Sequence, residues 1–274
     1  MTGPGPATGV ANQRMRVFGQ RIRYSVRPGT ARRRPLVLCN GIGTSLDVLD
    51  PFVAALPASL EVVRFDVPGV GGSPLPNVPY TFAGLALTLR RLLDRLGYRQ
   101  VDILGLSWGG ALAQQFAFQH PLCCRRLVLV GTGTGMLMVP AKPGVLYKML
   151  TPRRHRDPQW ARAVAPELYG GKVRQDPGCI SEVLHQRNVV GPKRGYALQL
   201  AAGAGWSSLP ALPLIRQPTL VVAGEDDPIV PLVNARLMSS LLPHGELHIY
   251  RDGHLGLLTS AEELAPVIVE FLNR

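Results

Sequence analysis

The sequence predicts an α/β fold: a mostly parallel, doubly wound sheet with a helical cap insertion. Three observations predict it. Short runs rich in Val, Leu and Ile recur along the chain, each closing on a turn marked by Gly, Pro or Asp. Helical patterns lie between several of these runs, and strand alternating with helix argues a parallel sheet covered on both faces. Between Val130 and Thr219 no run of the same quality occurs. That stretch is too long for a loop without structure of its own, so it reads as a helical insertion over one edge of the sheet.

The predicted strands are Leu36–Cys39, Val62–Phe65, Val101–Leu106, Leu127–Val130, Thr219–Ala223 and Leu247–Tyr250. Near-continuous apolarity over so few residues suits strands buried on both faces. Phe82–Leu96 is a predicted helix, because Leu85, Leu89, Leu92, Leu93 and Leu96 recur at three- and four-residue steps while Arg90, Arg91, Asp94 and Arg95 fill other positions. Ala111–Gln119 follows the third strand directly, and Ala261–Leu272 is a closing helix. The insertion carries Pro, Gly, Arg and scattered aromatics. The chain therefore divides into a first core part at 1–132, a cap at 133–212 and a second core part at 213–274.

The 274 residues are 46% apolar and 18% charged, the balance of a folded chain with a sizeable core. The net charge of +12 is unevenly placed. Arg14, Arg16, Arg21, Arg23, Arg27, Arg32, Arg33 and Arg34 precede the first acid, Asp47, and residues 142–196 carry 11 bases against four acids. The remainder is slightly acidic. Such charge reads as arginines on solvated faces, and no zinc-finger, RNP or basic-heptad pattern accompanies it, so a nucleic-acid partner is excluded. Cys39, Cys123, Cys124 and Cys179 show neither CxxC nor metal-ligand spacing. No secretory h-region opens the chain, and Leu127–Ala141 is too short and too broken to span a bilayer. A reducing cytoplasm is the expected location.

The chemistry centres on Gly105-Leu106-Ser107-Trp108-Gly109, placed right after one predicted strand and right before a helix. In that context GxSxG is a nucleophile elbow, a sharp turn that exposes the serine Oγ. A base and an orienting acid should follow in the order Ser, Asp or Glu, His. Ligands of open parallel sheets sit at the carboxyl ends of strands. His254 lies just past a strand on that side, whereas His244 and His248 lie before it or inside it. His120, His155 and His185 read as surface residues. The turn Gly224–Pro231 offers Glu225, Asp226 and Asp227. Asp227 is favoured because Pro228 gives a rigid turn that can aim it at His254, and Asp252 stands too close in sequence to reach the far ring nitrogen. An oxyanion needs two N–H donors: Trp108, after the nucleophile, and Ile42 in the Gly-flanked loop after the first strand. Asp66–Ser73 lacks GxGxxG spacing and reads as a structural loop.

The stretches NGIGTSLDVLDPFV, FDVPGVGGS, LGLSWGGALAQQFA, MVPAKPGVLYKM, PELYGGK, LVVAGEDDPIVPLVNARL and DGHLGLL resemble the intracellular depolymerases of medium-chain-length poly(3-hydroxyalkanoates), within the α/β-hydrolase family. The resemblance runs from about Val17 to Leu272 and includes the insertion, and Asn40 agrees with it. It implies an α/β-hydrolase fold, a triad of Ser107, Asp227 and His254, an acyl-enzyme, and a polyester substrate met as granules, with neither metal nor organic cofactor. Met136, Met138, Trp160 and Trp206 are the candidates for binding apolar substrate side chains, or else form the cap's own core. A small-molecule carboxylesterase or acyltransferase would share the triad. A silent granule-bound module would be the third class.

Overall fold

The computed structural model describes residues 12–30, 34–180 and 182–274, with backbone only at 182 and 183. Arg32 and Arg33 lie outside the described residues. Among those described, eight strands form one sheet in the order β1-β2-β4-β3-β5-β6-β7-β8. These are β1 (Gln13–Val17), β2 (Gln20–Arg27), β3 (Leu36–Cys39), β4 (Val62–Phe65), β5 (Val101–Leu106), β6 (Cys124–Val130), β7 (Thr219–Gly224) and β8 (Gly245–Tyr250). From β4 to β8 every pairing is parallel, and only β1 with β2 and β2 with β4 are antiparallel.

Alternation along each strand feeds two apolar layers. Val37, Cys39, Val63 and Ile103 face a layer built with α2 (Phe82–Arg95) and α3 (Trp108–Gln119). Leu36, Leu38, Leu104 and Val130 face the opposite layer, closed by α1 (Asp50–Ala55) and the C-terminal helix Ala261–Asn273. Burial on both faces accounts for the unbroken apolar runs. The loops that follow β3, β5, β7 and β8 leave the carboxyl edge of this sheet.

The first hairpin corrects the sequence reading, which begins the sheet at Leu36 and assigns the preceding arginines to solvated faces. Met15, Val17, Ile22 and Tyr24 alternate with Arg14, Arg16, Arg21 and Arg23 across the β1–β2 register. A Phe18-Gly19 turn with φ of 48° and 80° joins the strands, the backbone twist a two-residue hairpin needs. Arg23 is buried, with its guanidinium held by both oxygens of Asp47 and by Asp66. Arg27 donates to the carbonyls of Val53, Leu56, Pro57 and Leu60. Part of the N-terminal charge is thus spent inside the fold.

Between β6 and β7 the chain forms α4 (Pro143–Met149), a 3-10 turn at Pro152–His155, α5 (Pro158–Tyr169), α6 (Gly171–Gln175), a π-helical turn at Glu182–Arg187 and α7 (Lys193–Gly203). Their shared core is Val145, Ala165, Leu168, Val173, Ile180 and Leu184, seated on Val48 and Leu255 of the main body. His155 sits in this layer and is only 4% exposed, so its reading as a surface histidine is overturned. The Pro- and Arg-rich sequence there hides the burial. Asp66 also proves structural: it accepts from Leu46 N and Gly72 N, and burial pushes its carboxyl up against the opposing pull of Gly72, Leu46 and Arg23. The four cysteines are free, with Cys179 exposed and the others buried.

Candidate active site

Ser107 occupies the junction of β5 and α3 with φ 53° and ψ −119°. With Phe18 it is one of two non-glycine residues at positive φ among those described. Such a conformation costs about 1–3 kcal/mol and persists only where the surroundings enforce it. The enforcement is visible. Ser107 N–H donates to Val130 O at 2.9 Å, and Gly110 N–H donates to Ser107 O at 2.8 Å. A Cβ on Gly109 would stand 2.1 Å from the Cys39 carbonyl oxygen, and one on Gly105 would stand 2.5 Å from the Gly110 Cα. Glycine at both positions is therefore a packing requirement of the elbow.

Three side chains from three strand ends meet in line. His254 Nε2 is 3.0 Å from Ser107 Oγ, and His254 Nδ1 is 2.8 Å from Asp227 Oδ2. His254 and Asp227 are both buried. The second oxygen of Asp227 accepts the N–H groups of Ile229 and Val230 at 2.8 and 2.9 Å, which fixes the carboxylate plane. The rival acids are turned elsewhere. Asp226 accepts Gly171 N–H and pairs with Arg174, and Glu225 is exposed. Asp252 accepts from Lys172 N, Gly253 N, Thr259 and Ser260. Burial pushes its carboxyl up, but those hydrogen bonds outweigh it and leave the group below the usual range.

Trp108 opens α3, so its N–H has no intrahelical acceptor. Across from it, Gly41–Thr44 forms a tight turn, with Thr44 Oγ1 donating to Gly41 O at 2.8 Å and Gly43 at φ 74°. The place of a Cβ on Gly41 is 3.8 Å from Ser107 Cβ, so the Ile42 backbone lies beside the nucleophile. Gly43 N–H is already taken by Gln199 Oε1 at 2.8 Å.

Two cavities meet at Ser107. The larger, about 500 Å³, is walled by Trp108, Met136, Met138, Met149, Trp206 and Ile229. Phe82 wedges between the rings of Trp108 and Trp206, with centroids at 4.7 and 4.8 Å. Met136, Met138 and Trp206 thus line this cavity. Trp160 does not: it lies outside this cavity, under the Arg153 guanidinium at 5.3 Å, on the first turn of α5 capped by Asp157. The sequence reading misses Met149, Ile229 and Phe82, which carry no signal beyond being apolar. The smaller cavity, about 40 Å³, is lined by Ile42, Arg154, His155, Tyr169, His254 and Leu184 among others. Burial, with the neighbouring Arg154 charge next, holds the His155 imidazole well below its usual range. Among the described residues no three His, Cys, Asp or Glu side chains gather as a metal site, and no helix is long and apolar enough to cross a membrane.

A family model described as the alpha/beta hydrolase family matches residues 36–267. The chain belongs to the alpha/beta hydrolase family. It is 51% identical over 256 residues to the poly(3-hydroxyalkanoate) depolymerase of Ectopseudomonas oleovorans, a match covering 93% of this chain and 90% of that one. It is 30% identical to the pimeloyl-[acyl-carrier protein] methyl ester esterase of Aromatoleum aromaticum, over 88% of this chain and 99% of that one. Among solved structures, the enol-lactonase of Burkholderia xenovorans LB400 shares the fold with a TM-score of 0.81 at 24% identity, covering 96% of this hydrolase and all of that chain.

Proposed function

We propose that this hydrolase cleaves the backbone esters of medium-chain-length poly(3-hydroxyalkanoate) through an acyl-enzyme on Ser107. The observation that carries the reading is the unbroken Ser107–His254–Asp227 hydrogen-bond chain opening onto an apolar chamber of about 500 Å³. The half-identical depolymerase supports the choice of polymer.

In the first step Ser107 Oγ bonds to the ester carbonyl carbon as His254 Nε2 takes its proton. The N–H groups of Ile42 and Trp108 donate to the oxygen that gains charge. The carbon–oxygen bond then breaks, and His254 returns the proton to the departing 3-hydroxyl. Water adds to the acyl-enzyme with His254 again as base, which frees the acid and restores Ser107. Asp227 keeps Nδ1 protonated and stabilises the imidazolium. Met136, Met138 and Trp206 receive the alkyl side chains, and residues 133–212 act as the cap.

Granule docking in the cytoplasm completes the reading. Met136, Leu146 and Leu150 line the chamber and are between 44% and 64% exposed, an apolar rim extended in sequence by the exposed Leu137 and Tyr147. Incubation with dispersed medium-chain polyester, short-chain polyester and a soluble p-nitrophenyl ester tests the whole proposal. Clearing of the medium-chain suspension is expected. Hydrolysis confined to the soluble ester would instead identify a small-molecule esterase.

A further inference from the structure

The small cavity beside Ser107 contains two polar groups that the triad leaves unused. Arg154 is 3% exposed and His155 4%, both at the end of the 3-10 turn Pro152–His155. Arg154 Nη1 donates to Tyr196 Oη at 2.8 Å and, more weakly, to Thr151 O at 3.5 Å, and its guanidinium lies over the Tyr196 ring. Among the residues whose side chains are described, no carboxylate pairs with this cation. Neither ring nitrogen of His155 has a hydrogen-bond partner. The Ile42 backbone lies near the ring but falls short of a bond.

A cation withdrawn from water without an anion is among the least favourable arrangements in a protein interior, and an unpartnered buried imidazole adds to it. Both groups face the same pocket as Ser107 and His254, whose other walls include Val48, Leu49, Leu184 and Leu258. At about 40 Å³ the pocket suits a group of a few atoms and excludes a medium-length alkyl chain. A ligand matched to these walls is small, anionic and able to accept hydrogen bonds from two directions. A carboxylate meets all three demands, and a guanidinium is the side chain best shaped to hold one.

We propose that Arg154 and His155 form a carboxylate subsite that receives the free carboxyl end of the polyester chain. The inference rests on the depolymerase reading and adds which ester is cut first. In a 3-hydroxyalkanoate chain the terminal unit carries its carboxylate two carbons from the scissile oxygen. With that carboxylate in the small pocket, the last ester carbonyl lies at Ser107 and the alkyl groups run along the large chamber. The products are a 3-hydroxyalkanoate with its hydroxyl restored and a chain one unit shorter. An internal ester offers Arg154 no charge at this place.

The test compares a 3-hydroxyoctanoate dimer with its methyl ester, which removes the terminal charge and adds one methyl group; only cleavage of the ester between the two units is counted in each. The wild-type enzyme is expected to favour the free acid in kcat/KM by at least about tenfold, the worth of one charge-assisted hydrogen bond. Arg154→Gln and His155→Ala should drive that ratio toward one, and Arg154→Lys should restore part of it. Because Arg154 also ties Thr151 to Tyr196, the ratio within each variant is the readout, since misfolded enzyme lowers both rates alike. A wild-type ratio of one or less, or a ratio unchanged in Arg154→Gln and His155→Ala, would overturn the subsite. Clearing of dispersed polymer, followed in parallel, separates the two ideas. Polymer cleared with a ratio of one removes the subsite and leaves the depolymerase, whereas a soluble ester cleaved without any clearing removes the depolymerase itself.

Discussion

The two walls of the active site are built on different physics. The core wall is made of backbone: a serine at positive φ, glycines with no room for a Cβ, and a carboxylate pinned by two N–H groups. The wall contributed largely by the segment between β6 and β7 is made of side chains, chiefly methionine, tryptophan and leucine around an open chamber. Backbone constraints fix atoms to fractions of an ångström and tolerate no substitution. Apolar side chains can re-pack, so substitutions in this wall are expected to change which acyl chain is accepted more than the chemistry itself.

That contrast can be broken at graded points. Ser107→Ala removes the nucleophile and should lower kcat by about 10⁶-fold with the fold intact, measured by ester hydrolysis and circular dichroism. A loss below a hundredfold would end the acyl-enzyme scheme. Asp227→Asn keeps the shape but presents the wrong hydrogen-bond partner to His254, for an expected loss of about 10⁴-fold in kcat. If Asp226→Asn costs as much, the assignment of the acid is wrong. On the cap side, Trp206→Ala should reduce kcat/KM about tenfold for octanoyl esters and much less for acetyl esters, because it removes chamber wall and no catalytic atom. Equal losses on both would mean that Trp206 supports the elbow through Phe82. Trp160→Ala comes last: its ring lies under Arg153 away from the cavity, so activity should be unchanged and stability should shift by about 0.5–1 kcal/mol, read as a small fall in Tm.

The same division explains what a reader of the sequence can see. Ser107, His254 and Asp227 are legible because each stands at a fixed offset from a strand end, and buried parallel strands announce themselves as apolar runs. Trp108 and Ile42 follow from the elbow and from the glycines flanking the loop. The β1–β2 hairpin is hidden, since arginines at alternate positions mask a period of two that Met15, Val17, Ile22 and Tyr24 do carry. His155 and Trp160 are misread for a related reason. In a cap of short helices, burial is decided by packing against the core through Val48 and Leu255, contacts far apart in sequence. Local pattern has no access to those contacts.

The carbonyl of Tyr169, the last residue of α5, accepts the N–H of His254 at 2.8 Å. The amide hydrogen of His254 is therefore bonded to the helical segment between β6 and β7 and to none of the strands. In hydrogen–deuterium exchange its lifetime should follow cap opening while the neighbouring sheet stays closed. Any opening of the chamber would then be timed by that one proton, and a molecule filling the space beneath should lengthen its lifetime.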